Sequence, residues 1–117
     1  MKVILIKSKA TKDQIVDMML ALESYIKLAV DIKQGCLAGG DIMHADCEAV
    51  LLNAGSHQEN IWGADWYPEE KRVAFGSLIN IRPRQNNRSM EIQDPKIRGH
   101  VEQIAGKLLE QCALFIL

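Results

Sequence analysis

No segment of this sequence approaches the roughly 18 consecutive apolar residues that a membrane-spanning helix requires. The apolar run at residues 2–6 is closed at once by Lys7 and Lys9, too soon for the apolar stretch of a signal peptide. A soluble protein is expected. An excess of one charge is also missing: 14 Lys and Arg stand against 15 Asp and Glu, a formal net charge of −1. Without a global basic field, nucleic acid is not an expected partner, and any anion site must be a local cluster. Cysteines are few. Cys36, Cys47 and Cys112 are odd in number and show no CxxC spacing, which suits reduced thiols in a cytoplasm rather than a disulfide framework. Internal repeats, linkers and low-complexity tracts are absent. At 117 residues with 25% charged side chains, the chain reads as one domain, residues 1–117, around a single core.

What remains is a readable succession of elements. Residues 2–6 suit a first strand. Thr11 and Gln14 have the spacing of a capping box, in which each side chain satisfies a backbone N–H near the other residue. Ile15, Met18, Met19, Leu22 and Ile26 follow at helical spacing, which predicts a helix of about 12 to 15 residues. Residues 28–32 and 36–38 flank Lys33-Gln34-Gly35, a three-residue hairpin connection. Residues 41–52 fit two patterns. Met43, Ala45, Cys47, Ala49 and Leu51 alternate as in a strand, whereas Cys47, Val50, Leu51 and Ala54 form a helical stripe that Gly55 can close. Abundant Ala, Glu and Leu with a well-formed stop favour the helix. On either pattern His44 and Glu48 share a face.

Residues 61–67 and 73–82 read as two strands joined by a charged turn, and Pro83 ends the pairing by removing a donor. On the second strand Phe75, Ser77, Ile79 and Ile81 would share one face. Asp94-Pro95 is an N-cap followed by proline at the first helical position. The stripe Ile97, Val101, Ile104, Leu108 and Cys112 continues that helix. The order β-α-β-β-α-β-β-α has hairpins and no regular βαβ alternation. It predicts an α+β fold, a two-layer sandwich with a mainly antiparallel sheet of about five strands and two or three helices on one face.

Three polar clusters interrupt these apolar patterns: residues 44–48, residues 57–60 and residues 80–89. Polar groups near a core must be bonded or they cost roughly 1–3 kcal/mol each, so such clusters either bond one another or serve a ligand. In the third, Arg82, Arg84 and Arg88 stand among Asn80, Asn87 and Ser89. Guanidinium forks match carboxylate and phosphate oxygens, so this segment is a candidate site for an anionic small molecule. Pairing of these arginines with Asp65, Glu69, Glu91 or Asp94, with the asparagines building turns, is the competing and simpler account. No GxxxxGK[ST] or GxGxxG run supports a nucleotide.

His44, Asp46 and Glu48 form the alternative centre, the candidate catalytic group, with His57 and Glu59 nearby in the sequence. A carboxylate-held histidine can act as a general base in a small hydrolase, and such groups can assist through a metal. HExxH and zinc spacings are both absent, so no metal ligands are assigned and no cofactor is implied. Cys47 lies near His44 but belongs to an apolar stripe, which favours an inert buried thiol. Trp62 and Trp66 share one strand face and are expected to cover core. The unusually apolar run at residues 113–117 and the bulky Trp66-Tyr67 edge need cover, either from the chain's own fold or from a second copy in a homodimer.

Taken together, Gly39-Gly40, His44-Ala45-Asp46, Gln58-Glu59-Asn60-Ile61-Trp62-Gly63, Ser77-Leu78-Ile79-Asn80-Ile81-Arg82-Pro83, Asn87-Arg88-Ser89 and Asp94-Pro95 resemble a family of small bacterial proteins known as a domain of unknown function. The resemblance covers the chain from its first strand to its last helix and stops short of the apolar tail. It implies a bacterial, cytoplasmic, single-domain protein and brings no activity, cofactor or catalytic residue. The residues therefore point to a polar groove where the arginine loop meets the His44 segment, and they name no reaction.

Overall fold

Two alternations of side chains run in register across neighbouring strands, and each faces its own set of helices. The computed structural model describes residues 2–110. Strands β1 (Ile4–Ile6), β2 (Ile26–Asp31), β3 (Cys36–Gly39), β4 (Ile61–Tyr67) and β5 (Arg72–Ala74) form one antiparallel sheet in the order β1-β3-β2-β4-β5. Helices α1 (Lys12–Met19), α2 (His44–Asn53) and α3 (Pro95–Leu109) complete the fold. Among the described residues no helix is long and apolar enough to cross a membrane.

Local chemistry sets the ends of these elements. Both arms of the capping box close at α1: the Thr11 N–H donates to Gln14 Oε1 at 2.9 Å, and the Gln14 N–H donates to Thr11 Oγ1 at 3.2 Å. α1 is shorter than its periodicity predicts. Glu23 turns into the left-handed region at φ 64°, and Ile26 pairs with Trp66 in the sheet, so the helical spacing of Leu22 and Ile26 is coincidental. At the β2–β3 turn Asp31 Oδ1 accepts from the N–H groups of Lys33 and Gln34 at 2.9 and 3.0 Å. Residues 44–53 are helical, and Gly55 follows at φ 103°, the left-handed stop that a glycine adopts without steric cost. Asp94 caps α3 by accepting from the Lys96 N–H at 2.8 Å.

On the first face of the sheet Ile26, Leu28, Val30, Leu37, Trp62 and Trp66 bury against Ile15 and Met18 of α1 and Val101, Ala105 and Leu108 of α3. The second face carries a separate cluster of Ala29, Cys36, Ala38 and Ile61 against Cys47 and Leu51 of α2. The α+β class and the five-stranded antiparallel sheet agree with the sequence pattern. The placing of the helices differs, because they occupy both faces rather than one. Ala29, Ala38 and Gly63 keep the second face shallow, and Cys47 and Leu51, spaced i,i+4, give α2 a narrow stripe to set on it.

The strand expected over residues 73–82 ends at Ala74. Beyond it the chain makes a lobe whose base is a bridge between Gly76 and Glu91. The Ser77 N–H bonds Met90 O at 3.0 Å and the Ile92 N–H bonds Phe75 O at 3.1 Å. Inside the lobe Asn80 is fully buried. Its Oδ1 accepts from the Gly63 N–H at 2.8 Å, and its Nδ2 donates to the carbonyls of Gly63, Phe75 and Met90 at 3.0, 3.1 and 3.1 Å. β5 pairs only with residues 65–67 of β4, so this amide supplies the neighbour that Gly63 would otherwise lack. The alternation that suggested a continued strand was real in composition. Its polar members were needed inside, and Leu78 and Ile81 are left exposed.

Asn80→Ala leaves the buried N–H and C=O of Gly63 without a partner and takes one of two donors from the Phe75 and Met90 carbonyls. At roughly 1–3 kcal/mol for each buried group left unbonded, it is expected to destabilise the fold by about 2–6 kcal/mol in urea denaturation. Gly63→Ala places a methyl 2.5 Å from Ser77 Cβ. It is expected to cost about 1–3 kcal/mol on the same measurement.

Candidate functional site

The second face of the sheet is covered by α2 at one end and by the lobe along the β4 edge, and the polar clusters meet between them. His44 is the first residue of α2. Its Nε2 lies 2.9 Å from Asp65 Oδ1 and 3.0 Å from Ala64 O. Both neighbours are acceptors, so Nε2 carries the proton and donates to them. His44 and Asp65 are largely buried, with side chains 10% and 16% exposed. Nδ1 has no partner among the described residues, and it is absent from their buried, unbonded atoms, so solvent reaches it. These two residues help line a cavity of about 410 Å³ with Tyr25, Lys27, Met43, Ser77, Leu78, Ile79 and Met90. Lys27 makes no ion pair among the described residues.

Arg82 holds the other side together. Its Nε donates to Ile79 O at 2.9 Å, Nη1 to Gln58 O at 2.7 Å and to Gln85 Oε1 at 3.4 Å, and Nη2 to Glu48 Oε2 at 3.3 Å. The guanidinium also lies 4.8 Å from the centre of the Trp62 ring. Burial lowers its pKa from the ordinary arginine range, and the nearby Glu48 carboxylate opposes that shift. Four of its five N–H groups are thus taken up in joining the lobe to α2 and to the turn at residues 58–60. A second recess of about 540 Å³, lined by Glu48, Gln58, Leu78, Ile81, Arg82, Arg84 and Gln85 among others, lies beside this junction.

The remaining candidates are distributed unevenly. Asn87 is buried, donating to the carbonyls of Asn80, Ser89 and Glu91 and accepting from the Gln93 N–H. Ser89 Oγ accepts from the Glu91 N–H at 3.0 Å. Arg84 and Arg88 are exposed, and only Arg84 lines the second recess. Asp46, His57 and Glu59 are exposed as well. His44 and Glu48 share a face of α2, yet they turn to different partners, Asp65 and Arg82. No three of His, Cys, Asp or Glu among the described residues gather closely enough to hold a metal ion. Of the two features on which the expectation of a dimer rested, the apolar run at residues 113–117 lies, with Cys112, outside the described residues, and Trp66 of the Trp66-Tyr67 edge is buried in the core.

A family model spanning residues 4–108 matches this chain, under the description "Protein of unknown function (DUF5674)". The chain belongs to that family. No curated protein and no solved structure matches it. The matched span ends inside α3, and every residue of the two recesses falls within it. Membership in DUF5674 thus agrees with the expectation of a family of unknown function, and the chemistry must be taken from the geometry.

Sequence reasoning passed over Lys27 and Tyr25, and weighed Asp65 only as a partner for arginine. The available signal was alternation: Lys27 interrupts Ile26 and Leu28, and Asp65 interrupts Ala64 and Trp66, so both polar groups project from the second face. Asp31 was missed for the same reason. It is fully buried, and its Oδ2 accepts from Ser56 Oγ at 2.6 Å, tying the β2–β3 turn to the chain after α2.

Cys47 sits beneath this region with no exposed surface, its Sγ donating to Lys27 O at 3.5 Å. Burial pushes its thiol up to about 11, so it stays protonated at neutral pH and makes a poor nucleophile. Peptide mapping after iodoacetamide treatment at pH 8 is expected to show Cys47 modified at least tenfold more slowly in the folded protein than in urea, on the order of the change in thiolate fraction. Because the folded pKa is the higher one, this thiol's contribution to stability is full below the unfolded value and declines as pH rises towards about 11.

Proposed function

We propose that this protein binds a small anionic molecule in the cavity above Lys27 and His44. The carrying observation is that Lys27, whose ammonium makes no ion pair among the described residues, and His44, whose Nδ1 is open, line the same 410 Å³ space, while Asp65 is engaged by His44 Nε2. Lys27 supplies charge, and His44 Nδ1 supplies a second, directed polar contact. Met43, Leu78, Ile79 and Met90 offer an apolar wall for the rest of the ligand, the mixture of apolar lining and few polar anchors usual in small-molecule sites. In the lobe, Arg82 and Asn80 act as supports for this wall, and Arg84 is the arginine placed to meet a second charge at the neighbouring recess.

Proton transfer at the same place is the alternative, favoured by the contact between His44 Nε2 and Asp65. A carboxylate that fixes the imidazole tautomer leaves Nδ1 as the basic lone pair, the arrangement a general base requires. It would serve hydrolysis or another acid–base step on a bound anion. Asp46, Glu48 and His57 have no evident part in it.

Binding is tested by thermal denaturation of the full chain against a panel of small carboxylates and phosphate esters. At least one compound is expected to raise the melting temperature by several degrees, and Lys27→Met or His44→Gln to remove most of that rise. A panel that leaves the melting temperature unchanged would overturn the proposal. For the acid–base alternative, turnover of activated esters should fall at least tenfold in both His44→Gln and Asp65→Asn, consistent with the usual worth of a positioned base. Turnover that ignores both substitutions would remove it.

A further inference from the structure

We infer that the cavity selects a planar aromatic or heteroaromatic anion, whose ring continues a stack already built on the sheet. This inference rests on the anion site proposed above and adds the shape of the ligand. Tyr67 and Arg72 are paired across β4 and β5, and Tyr25 stands next to Tyr67 on the other side, one step before the Ile26–Trp66 pair. The rings of Tyr25 and Tyr67 are stacked, with centroids 5.2 Å apart and planes 13° apart. The Arg72 guanidinium lies 4.1 Å from the centre of the Tyr67 ring and is itself anchored by the Glu70 carboxylate. With one neighbour on each adjacent strand, Tyr67 is used on both faces. Tyr25 is used on one, and no other ring or cation lies against it among the described residues.

Tyr25 is also part of the cavity lining, beside Lys27 and His44. The row of side chains therefore runs from Arg72 through Tyr67 to Tyr25, and Tyr25 lines the cavity that also has Lys27 and His44 in its wall. Cross-strand aromatic pairs stabilise sheets by themselves. A purely structural pair, however, has no need of a lined recess at one end. The wall adds a second preference, since Met43 and Met90 present flexible side chains with thioethers, which pack well against aromatic rings. A planar ligand would lie on Tyr25 between these methionines and place its carboxylate or phosphate towards Lys27 and His44.

Isothermal titration compares benzoate with cyclohexanecarboxylate, which carry the same charge and differ in planarity. Adenosine 5′-monophosphate against ribose 5-phosphate makes the corresponding comparison for a nucleotide. In at least one pair the ring-bearing member is expected to bind about fivefold more tightly, the order of one offset stack. Tyr25→Leu should reduce that ratio to near one and abolish the upfield NMR shifts of the bound ligand's ring protons. Equal affinity within both pairs, or a preference that survives Tyr25→Leu, would overturn the inference while leaving the anion site standing. Absence of binding by all four compounds and by the carboxylate and phosphate panel would remove the anion site, and the stacking inference with it.

Discussion

The structure depends on one side-chain amide standing in for a strand. β5 is only three residues long and leaves the β4 edge open at Gly63, and an unbonded backbone edge buried against the lobe would be costly. Asn80 meets both the N–H and the C=O of Gly63 and also gathers carbonyls from the two ends of the lobe. The absence of a side chain at Gly63 is the other half of this contact, because Ser77 and Ile79 occupy the space a Cβ would fill. From that junction the lobe is held over the second face of the sheet. One wall of the His44 cavity and the whole of the Arg82 junction follow from it.

The polar clusters do converge, and convergence alone does not make a site. Asn80, Asn87 and Arg82 arrive at the interior and are occupied there by backbone groups and by Glu48. Such bonds position segments that have little apolar surface with which to pack. The groups left with open capacity are fewer: His44 Nδ1, the Lys27 ammonium and the exposed arginines of the lobe. Capacity for a ligand is what remains after the fold has satisfied itself. That subtraction moves the centre of interest from the arginine loop to the floor of the sheet beside Tyr25. DUF5674 family membership is consistent with this picture and adds no chemistry to it.

Local signals in this chain were reliable wherever one short segment decided its own conformation. The capping box at Thr11, the stop at Gly55, the span of β4 and the Asp94 cap of α3 were all readable, because each depends on residues three or four positions apart. Leu22, Ile26 and the second half of residues 73–82 misled for one reason. A period matched an element that partners elsewhere in the fold overrode. Glu23 bends the chain after α1, and Gly63 recruits Asn80 from 17 residues away.

The site divides along the same line. Composition and alternation by themselves determined an α+β chain with an antiparallel sheet, favoured a helix within residues 41–52, and showed a concentration of polar residues between residues 41 and 89. Only the tertiary structure decided that Asp65, and not Glu48, holds His44, that α2 lies on the opposite face from α1 and α3, and that Arg82 is pinned by Glu48 while Lys27 makes no ion pair among the described residues. Periodicity reports which way a side chain points along its own strand or helix. Which group it then meets is set by the register of strands and by the closeness that small residues such as Ala29, Ala38 and Gly63 permit, and neither is a property of any one segment.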